Sequence, residues 1–134
     1  MRVVLDTNIF ISAILGGRLG IIIDEWRAGK FKLIITDEIA REYLDVINRP
    51  KFKIPQIEIL TVTEYLLHNA EFVTPLEEIL VIVADATDNK FLEAAVAGNV
   101  NFIVSGDNHV LELGSFRGIP IILAKEFIDL LNAL

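Results

Sequence analysis

Val3-Val4-Leu5-Asp6-Thr7-Asn8 is the stretch whose reading decides the fold. Val3 to Leu5 reads as a first strand, and Asn8 to Leu15 as a short helix ended by Gly16 and Gly17. An acid therefore falls directly between a strand and a helix. The same alternation repeats outward. Leu19 to Lys30 is helical and stops near Gly29, and Lys32 to Ile35 is a second strand. Thr36 or Asp37 caps a helix that runs to about Asn48, where Pro50 stops it. Pro55 opens a helix reaching about Asn69, and Glu71 to Val73 reads as a short strand. Ile79 to Val83 is apolar and β-rich, but too short for its period to choose between strand and helix. Asp88 to Ala97 is a helix with Gly98 as its C-terminal stop. Asn101 to Val104 is a strand, Ser105-Gly106-Asp107-Asn108 a turn, and His109 to Leu113 a short helix. Ile119 to Leu123 is the final strand and Lys125 to Leu134 the final helix. Short β-branched runs alternating with helical periodicity argue for an α/β fold with a parallel sheet.

The 134 residues fit one domain, expected to span 1–134 and large enough to bury a core without disulfides. An apolar share of 53% excludes a disordered tail. There is no cysteine, which removes thiol catalysis and Cys-based zinc sites. His68 and His109 form no zinc-binding pattern. The opening MRVVLDTNIF does not have the plan of a secretory signal, and the apolar runs are far shorter than a membrane span. The expectation is a soluble, cytoplasmic protein. A formal charge of −7 argues by itself against a nucleic-acid partner. The objection weakens if the acids cluster on bound cations, because those ions reverse the sign that a phosphate meets.

The carboxylates are placed to cluster. Asp6 follows the first strand and Asp107 follows the strand ending at Val104, and open parallel sheets form their sites outside the carboxyl ends of strands. Asp88 begins a helix and shares a face with Leu92 and Ala95, which turns it toward the sheet. Glu42 lies on the margin of the stripe Ile39, Tyr43, Val46 and Ile47. Half-buried there, it costs free energy unless something pairs with it. The positions four residues away are Glu38 and Val46, neither of them basic, so a metal ion is the expected partner. Ligands that are all oxygen suit Mg²⁺ or Mn²⁺, and one or two such ions are expected. Two ions roughly 4 Å apart stabilise both the attacking and the leaving oxygen in phosphodiester hydrolysis.

These segments resemble the PIN-domain family. The resemblance rests on Val3-Val4-Leu5-Asp6-Thr7-Asn8, on Asp37 to Ile47 followed by Arg49-Pro50-Lys51-Phe52, on Asp85-Ala86-Thr87-Asp88-Asn89-Lys90-Phe91-Leu92, and on Val104-Ser105-Gly106-Asp107. The second segment is similar to a VapC-like subfamily of toxin components from toxin–antitoxin pairs. The resemblance implies a three-layer α/β/α sandwich and a Mg²⁺- or Mn²⁺-dependent endoribonuclease whose acids carry over as Asp6, Glu42, Asp88 and Asp107. It implies that Asn8 orients the Asp6 carboxylate and that Ser105 does the same for Asp107; Asp85, a spare acid near the site, is read separately as a supporting residue. It also implies an antitoxin partner and self-association into a homodimer or larger assembly. The sequence departs from the family pattern at two places. His109 stands where many members have a further aspartate, and Ala86-Thr87 interrupts an Asp-Pro-Asp-Asp run.

Blander readings stand beside these. Asp6 and Asp88 are ordinary helix caps, Asp107 an ordinary turn acid, and Glu42 a solvated helix residue. Arg49, Lys51 and Lys53 form a basic patch suited to RNA phosphates or simply to a solvated loop. Two rival functions share the fold class. A phosphoreceiver domain would carry paired acids after the first strand and a late Lys-Pro, and here Lys125 is followed by Glu126. A catalytically silent PIN-like binding module would not need the four acids.

Overall fold

The computed structural model describes residues 1–82 and 85–134. β1 (Arg2–Leu5) lies between β2 (Lys32–Ile35) and β4 (Phe102–Val104), parallel to both. β3 (Glu71–Phe72) continues the sheet beyond β2, and β6 (Ile119–Ile122) continues it beyond β4, again in parallel. The short β5 (Ser115–Phe116) closes the order β3-β2-β1-β4-β6-β5 and is the one antiparallel member. The strands are apolar on both faces. Val3, Val4, Leu33, Ile34, Ile35, Ile103 and Val104 are all fully buried, as a sheet covered by helices on both sides requires.

The chain steps outward from β1 to β2 to β3, then returns to the other side of β1 as β4. Right-handed crossovers place the helices of these two excursions on opposite faces. α1 (Thr7–Leu15), α2 (Gly20–Arg27), α3 (Asp37–Ile47) and α4 (Gln56–Asn69) belong to the outward steps. α5 (Asn89–Gly98) makes the return and packs on β1, β2 and β4. The short α6 (Asn108–Leu111) lies against β6, and α7 (Ala124–Asn132) packs on α2. The result is the expected three-layer α/β/α sandwich.

Three local differences from the sequence reading have simple causes. The helix expected from Leu19 starts as a 3₁₀ turn over Gly17–Leu19, and regular α-helix begins only at Gly20. β5 was not expected: it is too short to show a period, and its turn, Arg117-Gly118, lacks the usual Asn-Gly signal. Both turn residues have positive φ, 50° and 81°, which suits a two-residue hairpin. The segment from Ile79 to Ile82 has no regular secondary structure, and Val83 lies outside the described residues. Ile82 nevertheless has a partner. Its N–H donates to Asn89 Oδ1 at 2.8 Å, and Asn89 Nδ2 donates back to the Ile82 carbonyl at 3.0 Å. A side-chain amide on α5 thus replaces a neighbouring strand, which leaves an apolar segment with no sheet register to detect.

α5 packs tightly against the sheet at Gly98. A Cβ there would lie 2.5 Å from Cγ2 of the fully buried, β-branched Ile34. Neither the branched side chain nor the strand has room to yield. Gly98→Ala is therefore expected to destabilise the protein by about 1–3 kcal/mol, the usual cost of overpacking. Urea denaturation with an unchanged m-value would report it, and wild-type stability in the variant would contradict the close packing of α5 on β2.

Candidate active site

Leu5 and Val104 are paired neighbours at the ends of their strands, and the Asp6 N–H extends the ladder by donating to the Val104 carbonyl at 3.0 Å. Asp6 and Ser105 therefore emerge side by side at the carboxyl edge of the sheet, where the strand order reverses. Asp6 is only 5% exposed. Its Oδ1 accepts the Ile9 N–H at 2.9 Å and so caps α1. Its Oδ2 accepts the Ser105 hydroxyl and, at 3.3 Å, the Gly106 N–H. Burial raises the Asp6 pKa; the three donors oppose that rise, and the nearby Asp107 adds to it.

α3 is fixed to the same edge by Tyr43. The fully buried ring stacks on Phe10 of α1 at 4.1 Å, and its hydroxyl donates to the Leu5 carbonyl. Burial, then the charges of Asp6 and Glu42, push its ionisation well above the usual range, so the hydroxyl remains a donor. Glu42, the preceding residue, is thereby held over the end of β1. Its Oε2 accepts the Thr7 hydroxyl, and its Oε1 pairs with Lys90 Nζ at 3.2 Å. The expectation that only a metal would pair Glu42 is thus corrected. Its counter-ion comes from the first turn of α5, far along the chain and invisible to helical spacing within α3.

Asp88 stands just before α5. It makes no capping bond with its side chain, and Oδ2 is buried with no hydrogen-bond partner among the described residues. Its pKa rises from 3.8 to about 6, first through burial and then through the charges of Asp85 and Asp107; Lys90 opposes the rise, and Asp6 adds a smaller contribution to it. Capping of the turn before α5 falls instead to Asp85, whose Oδ1 accepts the Thr87 hydroxyl at 2.6 Å and the Thr87 N–H at 3.3 Å. That exposed acid is held below the ordinary carboxylate value, chiefly by the hydroxyl. Asp107 caps α6 through the His109 N–H at 2.8 Å, and its own N–H donates to Ser105 Oγ at 3.0 Å.

Asp6, Glu42, Asp88 and Asp107 line one cleft together with Asp85 and Asn8. Arg49 and Lys51 stand on its rim beside Phe52, whereas Lys53 does not line it. The acids share the cleft without already closing around a point: among the described residues no three of them have the geometry to hold an ion as they stand. Two supporting roles also differ from expectation. Asn8 is exposed and is not among the donors that hold Asp6. Ser105 gives its hydroxyl to Asp6 and meets Asp107 only through that residue's backbone. Sequence reasoning missed Thr7 and Lys90. The signal for Lys90 was its place two residues after Asp88, beside the apolar Phe91-Leu92.

The donor set is all oxygen, and one buried oxygen lacks a partner among the described residues, so the residues present fit a hard divalent cation. In a comparison with protein-family models, the one described as "PIN domain" matches residues 2–109. No individual curated protein matches the chain.

The raised carboxylates set a pH dependence for the metal-free protein. Between 3.8 and about 6 the folded chain holds more protons at Asp88 than the unfolded chain does. That contribution to stability is complete below the unfolded value and is lost as pH climbs through this window. Asp6, also raised, acts in the same direction. Asp88→Asn is expected to flatten the decline and leave the metal-free protein more stable than wild type at pH 7. Melting temperatures from pH 4 to 7.5 test this, and a variant less stable than wild type at pH 7 would overturn it.

Proposed function

This chain belongs to the PIN-domain family, whose members are typically nucleases, and from that premise we propose that it is a Mg²⁺- or Mn²⁺-dependent endoribonuclease acting through Asp6, Glu42, Asp88 and Asp107. The observation that carries this reading is Asp88 Oδ2, buried in the company of Asp6, Asp85 and Asp107 and without a hydrogen-bond partner among the described residues. An acid retained for structure alone would be satisfied by a donor, as Asp85 is. Asp88 and Asp107 each keep an oxygen outside the hydrogen bonds described above and would hold the ion with Asp6. A divalent cation in this place supplies a water of lowered pKa beside the phosphodiester and offsets charge that develops on the phosphate.

The chain's own residues prepare the site for that chemistry. Ser105, Gly106 and Ile9 lock the Asp6 carboxylate in one orientation, so that this ligand is held in place before substrate arrives. Arg49 and Lys51 place positive charge on the rim of an otherwise acidic cleft, where the phosphates flanking the scissile bond would run. Phe52 offers a ring on which a base can stack. In-line attack by water needs no 2′-hydroxyl, so the choice of RNA follows the family resemblance. Cleavage of single-stranded RNA is expected to require Mn²⁺ or Mg²⁺, to stop with EDTA and to leave 5′-phosphates. Asp6→Ala and Asp88→Ala should each slow it a hundredfold or more, on the order of 3 kcal/mol of transition-state stabilisation. A 2′,3′-cyclic phosphate product would overturn the mechanism, and equal rates in wild type and Asp6→Ala would overturn the assignment.

We also propose that the chain acts in the cytoplasm as the toxin of a toxin–antitoxin pair and associates with itself. The resemblance at Asp37 to Phe52 supports this, as does an unusual surface. Ile57, Leu60 and Leu67 of α4 are 70%, 55% and 54% exposed, on a helix that shares an apolar groove with Ile14 and Ile23. Exposed apolar area of this kind marks interaction surfaces. Sedimentation should show at least a dimer at micromolar concentration, and a species of only 15.0 kDa throughout would overturn the self-association.

A further inference from the structure

Lys90 is the one basic side chain paired with the acids of the cleft among the described residues, and it is only 6% exposed. Lysine is almost never buried this fully unless paired. Its Nζ sits 3.2 Å from Glu42 Oε1 and donates to the Thr87 carbonyl at 2.8 Å. The other Glu42 oxygen accepts the Thr7 hydroxyl, so both oxygens of that carboxylate are engaged. Asp88 Oδ2, by contrast, has no partner among the described residues. The cleft therefore has two unlike halves. At Glu42 the negative charge is already answered by an ammonium; at Asp88, with Asp6 and Asp107 nearby, it is not.

We propose that Lys90 is a fixed internal cation standing where a second metal ion would otherwise bind, so that the site takes one divalent cation, on the Asp6, Asp88 and Asp107 side. This rests on the metal-dependent reading above and deepens it. For a second ion to bind at Glu42, it would have to displace Lys90 from its ion pair. The ammonium would be left buried with one carbonyl as its partner, close to two divalent charges. Breaking a buried pair by removing one partner is among the more costly local changes in a protein, and the like-charge repulsion adds to it. Glu42 accordingly works as a positioning residue: through Lys90 it ties α3 to the first turn of α5, where Asp88 stands, and through Thr7 to the start of α1. The Lys90 charge also relieves part of the repulsion among Asp85 and Asp88 before any ion arrives.

The test is a count of bound Mn²⁺ per chain on the full-length protein, by calorimetry and by the electron paramagnetic resonance signal of free Mn²⁺. Wild type is expected to bind one ion. Lys90→Gln, which keeps a polar group and removes the charge, is expected to bind two, and Lys90→Arg to remain at one. A merely structural lysine would alter stability and leave the count alone. Two ions in wild type, or one ion at unchanged affinity in Lys90→Gln, would overturn the role of Lys90 while leaving the metal-dependent reading in place. No binding by wild type at millimolar Mn²⁺ would overturn both. Should Lys90→Gln fail to fold, the wild-type count decides between one ion and two.

Discussion

The burial of the Asp6 carboxylate is the constraint on which the rest of the site depends. A carboxylate taken out of water costs several kcal/mol unless donors replace the lost hydration. Here the donors come from three directions: the Ile9 N–H from α1, the Ser105 hydroxyl and the Gly106 N–H from the turn after β4. Each donor fixes the element that carries it. The first sets where α1 begins, and the other two hold the end of β4 beside the end of β1. Ser105 then passes the constraint on, because its oxygen also accepts the Asp107 N–H. The position of Asp107 is thus determined by the same demand that keeps Asp6 satisfied.

A second set of contacts brings the more distant helices to that edge. The Tyr43 hydroxyl reaches the Leu5 carbonyl, one residue before Asp6, while its ring stacks on Phe10 and Phe10 meets Trp26 of α2 edge-on. An aromatic seam therefore runs beneath the site and sets the height of α3 over β1. Glu42 follows from Tyr43, and Lys90 from Glu42, so α5 is attached through charge to a helix on the opposite face of the sheet. The protein carries a formal charge of −7 and still concentrates acids in one cleft. That arrangement is tenable in the metal-free state because one buried ammonium, paired with Glu42, offsets part of the charge.

Much of this was legible in the sequence, for physical reasons that also explain what was not. Strand ends and helix starts are local, so Asp6 and Asp107 could be placed at one sheet edge from β-branched runs and turn residues alone. Asp88 could be aimed at the sheet from helical spacing with Leu92 and Ala95. The Glu42–Lys90 pair could not, because the two residues meet only after the chain has crossed the sheet. Neither could the role of Ser105: its choice of Asp6 over the nearer Asp107 depends on β1 and β4 being neighbours, which no local pattern encodes. Ile79 to Ile82 was ambiguous for a related reason. Its backbone is satisfied by the Asn89 amide and not by a strand, so the residues carry β-like composition without a sheet to impose a period.

The plain and the functional readings of these acids turn out not to compete, because a carboxylate has two oxygens. Asp6 spends Oδ1 on capping α1, and Asp107 spends Oδ1 on capping α6. A capping bond of this kind is worth about 1 kcal/mol and would be reason enough to find an aspartate at either place. It also does something a solvated acid cannot do: it pins the carboxylate plane, so that the remaining lone pairs point in a direction fixed by the helix. Asp88 breaks the pattern in an instructive way. Its capping duty is taken by Asp85, and its own buried oxygen is left without a donor among the described residues. Two acids are thus stabilised by the fold and oriented as a by-product, while the third receives no hydrogen bond at its buried oxygen from the described residues and has only the charge of Lys90 to offset its burial. A chain under selection for stability alone would gain by replacing Asp88 with asparagine or by giving it a donor. The unsatisfied position is where the structure departs from what folding requires, and local departures of that kind are characteristic of functional sites.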